Sequence, residues 1–265
     1  MYEDRFIAFI DLLGFGGLVD RSASVDGLSE KIYTALMSLQ PENIDEETYA
    51  SINYELCPPE EIENVREALK LMTQNIKSMH PVRISYFSDC LAFSANSDDP
   101  IASQSILDIL AKLSIKLWVD YSLLLRGGIA VGKLVHTEGG PFFGPAMNCA
   151  YHLESKKAIY PRVLIDVDCL EQYRKVHTFN LFESLFESDG EMRYMSLGTA
   201  YRHIINDSSL ALAGEAVIGK FRKSLAETIG KLQSLKSEFS DDRIKEKYRW
   251  LIEEIAKREP EIRQP

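Results

Sequence analysis

From Val82 to Ser94 the chain reads Val-Arg-Ile-Ser-Tyr-Phe-Ser-Asp-Cys-Leu-Ala-Phe-Ser. Two runs of strand-forming residues with only a tight Ser88-Asp89 corner between them predict an antiparallel β-hairpin carrying an acid at its tip. A sheet begun in this way needs more strands and a cover. Arg5-Phe-Ile-Ala-Phe-Ile-Asp11 supplies a buried strand that ends on a second acid and runs into the glycine-rich turn Leu12-Leu-Gly14-Phe15-Gly16-Gly17. Leu123 to Val135 reads as a strand with glycines where something must approach the backbone closely, and Arg162 to Asp166 as another short strand.

Helical spacing fills the intervals. Leu28, Ile32, Leu36 and Leu39 share one helix face, Glu61 to Met79 forms a helix stopped by His80-Pro81, and Ile106, Leu110, Leu113 and Leu117 mark another. Phe142 to Glu154 reads as a helix opened by glycine and proline. Gln40 to Glu60, with Pro41, Pro58, Pro59 and many acids, reads as an irregular excursion. The order of elements predicts an α+β fold, a mostly antiparallel sheet with covering helices. Beyond Asn206 the pattern turns to charged helix, Lys220 to Leu235 and Asp241 to Lys257, which divides the chain into a domain of residues 1–205 and a C-terminal helical appendage of residues 206–265.

Of the 265 residues 45% are hydrophobic, enough for a real core without staples. A net charge of −10 argues against a surface that gathers nucleic acid or anionic lipid, so any phosphate must be met locally by metals, a few cationic side chains and backbone amides. Cys57, Cys90, Cys149 and Cys169 lie far apart and suggest neither a zinc knuckle nor a disulfide framework. The N-terminus opens on Glu3, Asp4 and Arg5, and no apolar stretch approaches the ~20 residues that span a bilayer. These features predict a cytoplasmic protein with no direct membrane insertion.

Asp11 and Asp89 each stand at a strand edge, where a carboxylate is costly unless paired or metal-bound. Brought together by adjacent strands they suit a hard divalent cation; taken singly, each is equally an ordinary turn acid. The turn at Gly14 and Gly16 could present backbone amides to phosphate, or be only a tight turn. Arg126, ending a run of leucines, suits a bidentate phosphate contact or a structural ion pair. Asn148 and His152, one helical turn apart, could reach one ligand or be satisfied helix residues.

Together and in this order the pieces resemble the class III nucleotidyl cyclases. Phe9-Ile-Asp11-Leu-Leu-Gly14-Phe15, Phe87-Ser88-Asp89-Cys-Leu-Ala92, Arg126-Gly-Gly-Ile129-Ala-Val-Gly132 and Gly144-Pro-Ala-Met-Asn148-Cys-Ala-Tyr-His152-Leu-Glu154 are similar to that family's successive motifs, covering roughly residues 5 to 170. The resemblance implies a palm-like fold and a lyase that cyclises a nucleoside triphosphate and releases pyrophosphate. It also implies two divalent ions, Mn²⁺ or Mg²⁺, held by Asp11, Asp89 and the Leu12 carbonyl. Gly14, Phe15, Gly16 and Arg126 would hold the phosphates, Asn148 would orient the ribose, and the sites would lie at the interface of a homodimer.

Two departures shape the expectation further. His152 stands where the family places a transition-state Arg, and Ser85 and Pro141 replace the adenine-recognising pair. With Ser85, Tyr86 and Phe142 close to the expected base site, the chain looks similar to the prokaryotic pyrimidine cyclases of the Pycsar antiphage systems. That likeness implies UTP as substrate, with CTP and purines as alternatives, cyclic UMP as product and a separate effector protein as its target. A degenerate cyclase homologue that only binds nucleotide is the competing reading.

Overall fold

The computed structural model of the chain describes residues 1–40, 58–166, 185–190, 192–206 and 215–262. Most of the excursion, residues 41–57, lies outside them, as do Cys57 and Cys169. The strands are β1 (Glu3–Leu12), β2 (Arg83–Phe87), β3 (Cys90–Asn96), β4 (Leu125–His136), β5 (Phe142–Phe143), β6 (Arg162–Ile165), β7 (Glu187–Asp189) and β8 (Met192–Ser196). The helices are α1 (Phe15–Ser22), α2 (Leu28–Ser38), α3 (Ile62–Met79), α4 (Pro100–Lys116), α5 (Pro145–His152), α6 (Leu197–Asn206), α7 (Glu215–Glu238) and α8 (Asp242–Ile262).

Seven strands form one sheet in the order β2-β3-β1-β4-β6-β8-β7, while β5 pairs β4 off that path. Among the described strands only β4 and β6 run parallel; the other pairs are antiparallel. The expected α+β architecture is therefore what the chain adopts. β1 is central and buried from Arg5 to Ile10, which is why its sequence is a continuous apolar run rather than an alternating one.

The two faces are covered unequally. Phe6, Ala8, Ile10 and Leu12 of β1 point into the main core with Ile106, Leu107 and Leu110 of α4 and Ala200, Tyr201 and Ile204 of α6. The C-terminal helices join the same core through Leu225, Leu232, Leu251 and Ile255, and Trp118 Nε1 donates to Thr228 Oγ1 of α7 at 2.9 Å. On the opposite face Ile7, Phe9, Ala130 and Leu134 are covered by α5 through Ala146 and Ala150. Gly128 lets α5 lie flush on β4, since a Cβ there would stand 2.2 Å from the Ala150 carbonyl oxygen and 2.6 Å from Leu153 Cβ.

Some expectations shift. The helix predicted from Phe142 begins only at Pro145; Phe142 and Phe143 pair with His136 and Val135 instead, because Gly144 at φ 152° breaks the segment and aromatic residues favour a pleat. The single helical face read from Leu28 to Leu39 belongs to α2, which Gly27 at φ 74° separates from α1. β7, β8 and α6, in the stretch between Asp166 and Asn206, are elements the periodicity did not reveal.

Candidate functional site

Side chains alternate along a strand, so register decides which of them meet. Asp11 pairs with Cys90 of β3 and with Arg126 of β4, and Cys90 pairs with Phe87 of β2. Phe87, Cys90, Asp11 and Arg126 thus form one row across the sheet on the α5 side. The hairpin tip closes on the same row, with the Leu12 N–H donating to the Asp89 carbonyl at 3.2 Å. One ligand atom from each of Asp11, Asp89 and Cys90 lies within 4.8 Å of the others. Ser88 turns the tip at φ 55°, a conformation unusual for a residue with a side chain.

Arg126 balances these acids from β4. Its Nη2 lies 2.9 Å from Asp11 Oδ2 and 2.5 Å from Glu154 Oε1, so one nitrogen is shared by two carboxylates. Its Nε is buried with no hydrogen-bond partner. Glu154 is only 3% exposed and belongs to a π-helical turn, Leu153–Lys157, that extends α5. Burial pushes Asp11 up to about 6 against the pull of Arg126, and the negative charges of Asp89 and Glu154 push the same way. Burial and the neighbouring acids raise the Cys90 thiol to about 12, leaving it protonated. Burial also raises Glu154, with Arg126 opposing. Two converging carboxylates, one of them with its charged form disfavoured by burial and by the other's charge, fit a hard divalent cation, which would offset that cost.

The remaining predicted residues divide by place. Gly14, at φ 79°, caps α1, whose first intrahelical bond runs from the Leu18 N–H to the Gly14 carbonyl. The amides of Phe15, Gly16 and Gly17 therefore open the helix without intrahelical partners, while the Phe15 and Leu12 side chains are buried in the core. Asn148 and His152 lie on the exposed side of α5, where Asp11 and Asp89 are not their hydrogen-bond partners. Ser85 is on the α5 side and Phe142 joins it through His136, whose Nε2 is 2.9 Å from Ser85 Oγ and whose ring centroid is 4.6 Å from that of Phe142. Tyr86 is different. It pairs with Leu91 and packs toward the main core, because neighbours in a strand face opposite ways.

Sequence reasoning missed His136, Cys90 and Glu154. His136 accepts or donates at both ring nitrogens, with Ser94 Oγ 2.7 Å from Nδ1, and Ser94 Oγ in turn accepts from Arg5 Nε at 2.8 Å. Burial and the cations Arg5 and Arg83 push it down to about 4. A lone histidine at the end of an apolar strand was the available signal. Lys247, on α8, is pushed below the ordinary lysine value by burial and by Arg126, with Asp11 pulling the other way, which ties the C-terminal helix electrostatically to the site.

No family model matches the sequence, and no curated protein matches it. Solved structures do. The adenylyl cyclase CyaB from P. aeruginosa is similar over 74% of this chain and 94% of its own, at 14% identity and a TM-score of 0.43. The catalytic core of a rhodopsin-guanylyl cyclase with converted specificity, in complex with ATPalphaS, is similar over 74% and 96%, at 15% identity and 0.38. A bacterial light-regulated adenylyl cyclase is similar over 83% and 99%, at 14% identity and 0.39. Overlaps this loose assign neither family nor chemistry, and the functional reading rests on the side chains. Among the described residues no helix is long and apolar enough to cross a membrane.

Proposed function

We propose that this protein is a nucleotidyl cyclase that converts UTP to 3′,5′-cyclic UMP and pyrophosphate, a second messenger for a separate effector in antiviral defence. The observation that carries the reading is the convergence of Asp11 and Asp89 beside Arg126 at one end of the sheet. In the reaction the ribose 3′-oxygen bonds to the α-phosphorus as the bond to the β-phosphate oxygen breaks and pyrophosphate leaves. Asp11, Asp89 and the Leu12 carbonyl would hold Mn²⁺ or Mg²⁺. Two such ions supply charge neutralisation on the triphosphate and a lowered pKa for the attacking hydroxyl. Arg126 and the open amides of Phe15 and Gly16, with Gly14 shaping the turn, bind the β- and γ-phosphates.

A homodimer would give a role to the two predicted residues that the acids leave unused. Asn148 and His152 stand exposed on α5 and suit the ribose and transition state of a site completed by a second copy. Ser85, tied to His136, offers a small hydroxyl where a lysine would select adenine, which favours a pyrimidine. His152 also supports a second reading, a homologue that binds nucleotide without turning it over, since its imidazole is shorter than an arginine and lacks the forked guanidinium that grips phosphate oxygens in pairs.

The test is incubation of the purified protein with each of ATP, GTP, CTP and UTP plus Mn²⁺, analysed by mass spectrometry beside Asp89→Ala. A cyclic UMP product that vanishes in the variant is expected. Wild type and variant alike forming no cyclic product from any nucleotide would overturn the enzyme reading.

A further inference from the structure

Glu154 is a buried carboxylate that the proposed chemistry does not use. It reaches the site by a specific route: Gly128 admits α5 against β4, and the π-helical turn at Leu153–Lys157 then presents Glu154 to Arg126. π turns of this kind recur at functional sites. Its Oε1 stands 2.5 Å from the Arg126 nitrogen that also meets Asp11 at 2.9 Å, yet it makes no well-formed hydrogen bond there. Arg126 is therefore poised between two acids, one of which has a second task.

We propose, resting on the metal-dependent cyclase reading above, that Glu154 is a positioning residue. It retains the Arg126 guanidinium when Asp11 exchanges that guanidinium for a metal ion, and so keeps Arg126 aimed at the triphosphate. Without it, Arg126 falls wholly to Asp11. The pairing then competes with the cation for the Asp11 carboxylate, and the uncompensated positive charge repels it. With Glu154 in place, Arg126 has somewhere to remain, and its unpartnered Nε is a donor left for an anionic ligand.

The experiment is a double-mutant cycle on the full chain, read by Mn²⁺ affinity from the free-ion electron paramagnetic resonance signal with no nucleotide present. Glu154→Gln is expected to weaken Mn²⁺ binding about tenfold, and raising Mn²⁺ is expected to restore its UTP turnover. In an Arg126→Met background the same substitution is expected to change affinity less than about twofold, because a buried carboxylate without a counter-ion is held neutral. Glu154→Asp keeps the charge and serves if the amide destabilises the fold; its affinity should fall between wild type and Glu154→Gln. Mn²⁺ affinity unchanged in both Glu154 variants, or equal losses with and without Arg126, overturns the inference. Asp89→Ala separates the two readings: Mn²⁺ binding that survives it places the failure in the metal site itself, whereas loss there with Glu154 variants unaffected places it here alone.

Discussion

Replacing Asp11 by Asn should make the metal-free protein more stable at neutral pH and less stable in acid relative to that maximum. Asp11 titrates near 6 in the fold against an ordinary value near 3.8. Between those values the native state holds a proton that the unfolded state lacks, so Asp11 lends stability below about 4 and withdraws it as pH rises through 6. At 1.36 kcal/mol per unit the ionised carboxylate costs about 3 kcal/mol at pH 7.5. His136 has the opposite sign. It is 2% exposed and titrates near 4 when folded, so the unfolded state takes up the proton first and stability is lost as pH falls from about 6.5 to 4, again by about 3 kcal/mol.

In the wild type these two dependences nearly cancel between pH 6.5 and 4, and Asp11→Asn should expose the histidine. Urea unfolding with a chelator present should show the variant about 3 kcal/mol more stable at pH 7.5 and sloping steeply downward into acid, against a flatter wild-type profile. A variant less stable than wild type at pH 7.5, or a profile parallel to it, would refute the assignment of the site's cost to the Asp11 charge. Such a cost at Asp11 is what a binding centre there would be expected to carry.

Other perturbations follow from particular contacts. Ser88→Gly removes the penalty of a positive φ at the hairpin tip and should raise stability by about 1 kcal/mol in a thermal melt. Gly128→Ala puts a Cβ 2.2 Å from the Ala150 oxygen and should cost about 3 kcal/mol in urea unfolding, with Mn²⁺ affinity falling as the π turn lifts. Arg258 is 7% exposed and joins Glu254 of its own helix to Glu187 of β7 at 2.7 and 2.6 Å, so Arg258→Ala should cost about 3–5 kcal/mol by the same measurement.

Local chemistry determined what the sequence could show alone. The Ser88-Asp89 corner between two strand-forming runs, the apolar run ending at Asp11 and the helical spacing of Ile106, Leu110 and Leu113 are all written in neighbours a few residues apart. They sufficed for the α+β fold and for singling out Asp11, Asp89 and Arg126 as candidates. What only the tertiary structure decided depends on which distant strands lie side by side. The β1 register sets Asp11 between Cys90 and Arg126, residues far along the chain whose pairing no local pattern encodes. The same alternation that puts Ser85 on the site's face sends Tyr86 to the core, and it needs the sheet's two covers before it has a direction. Glu154 closes one of the segments similar to the cyclase motifs, and nothing in the sequence assigned it a role. Only the close approach of α5 at Gly128, followed by a change of helical pitch, turns it inward to Arg126.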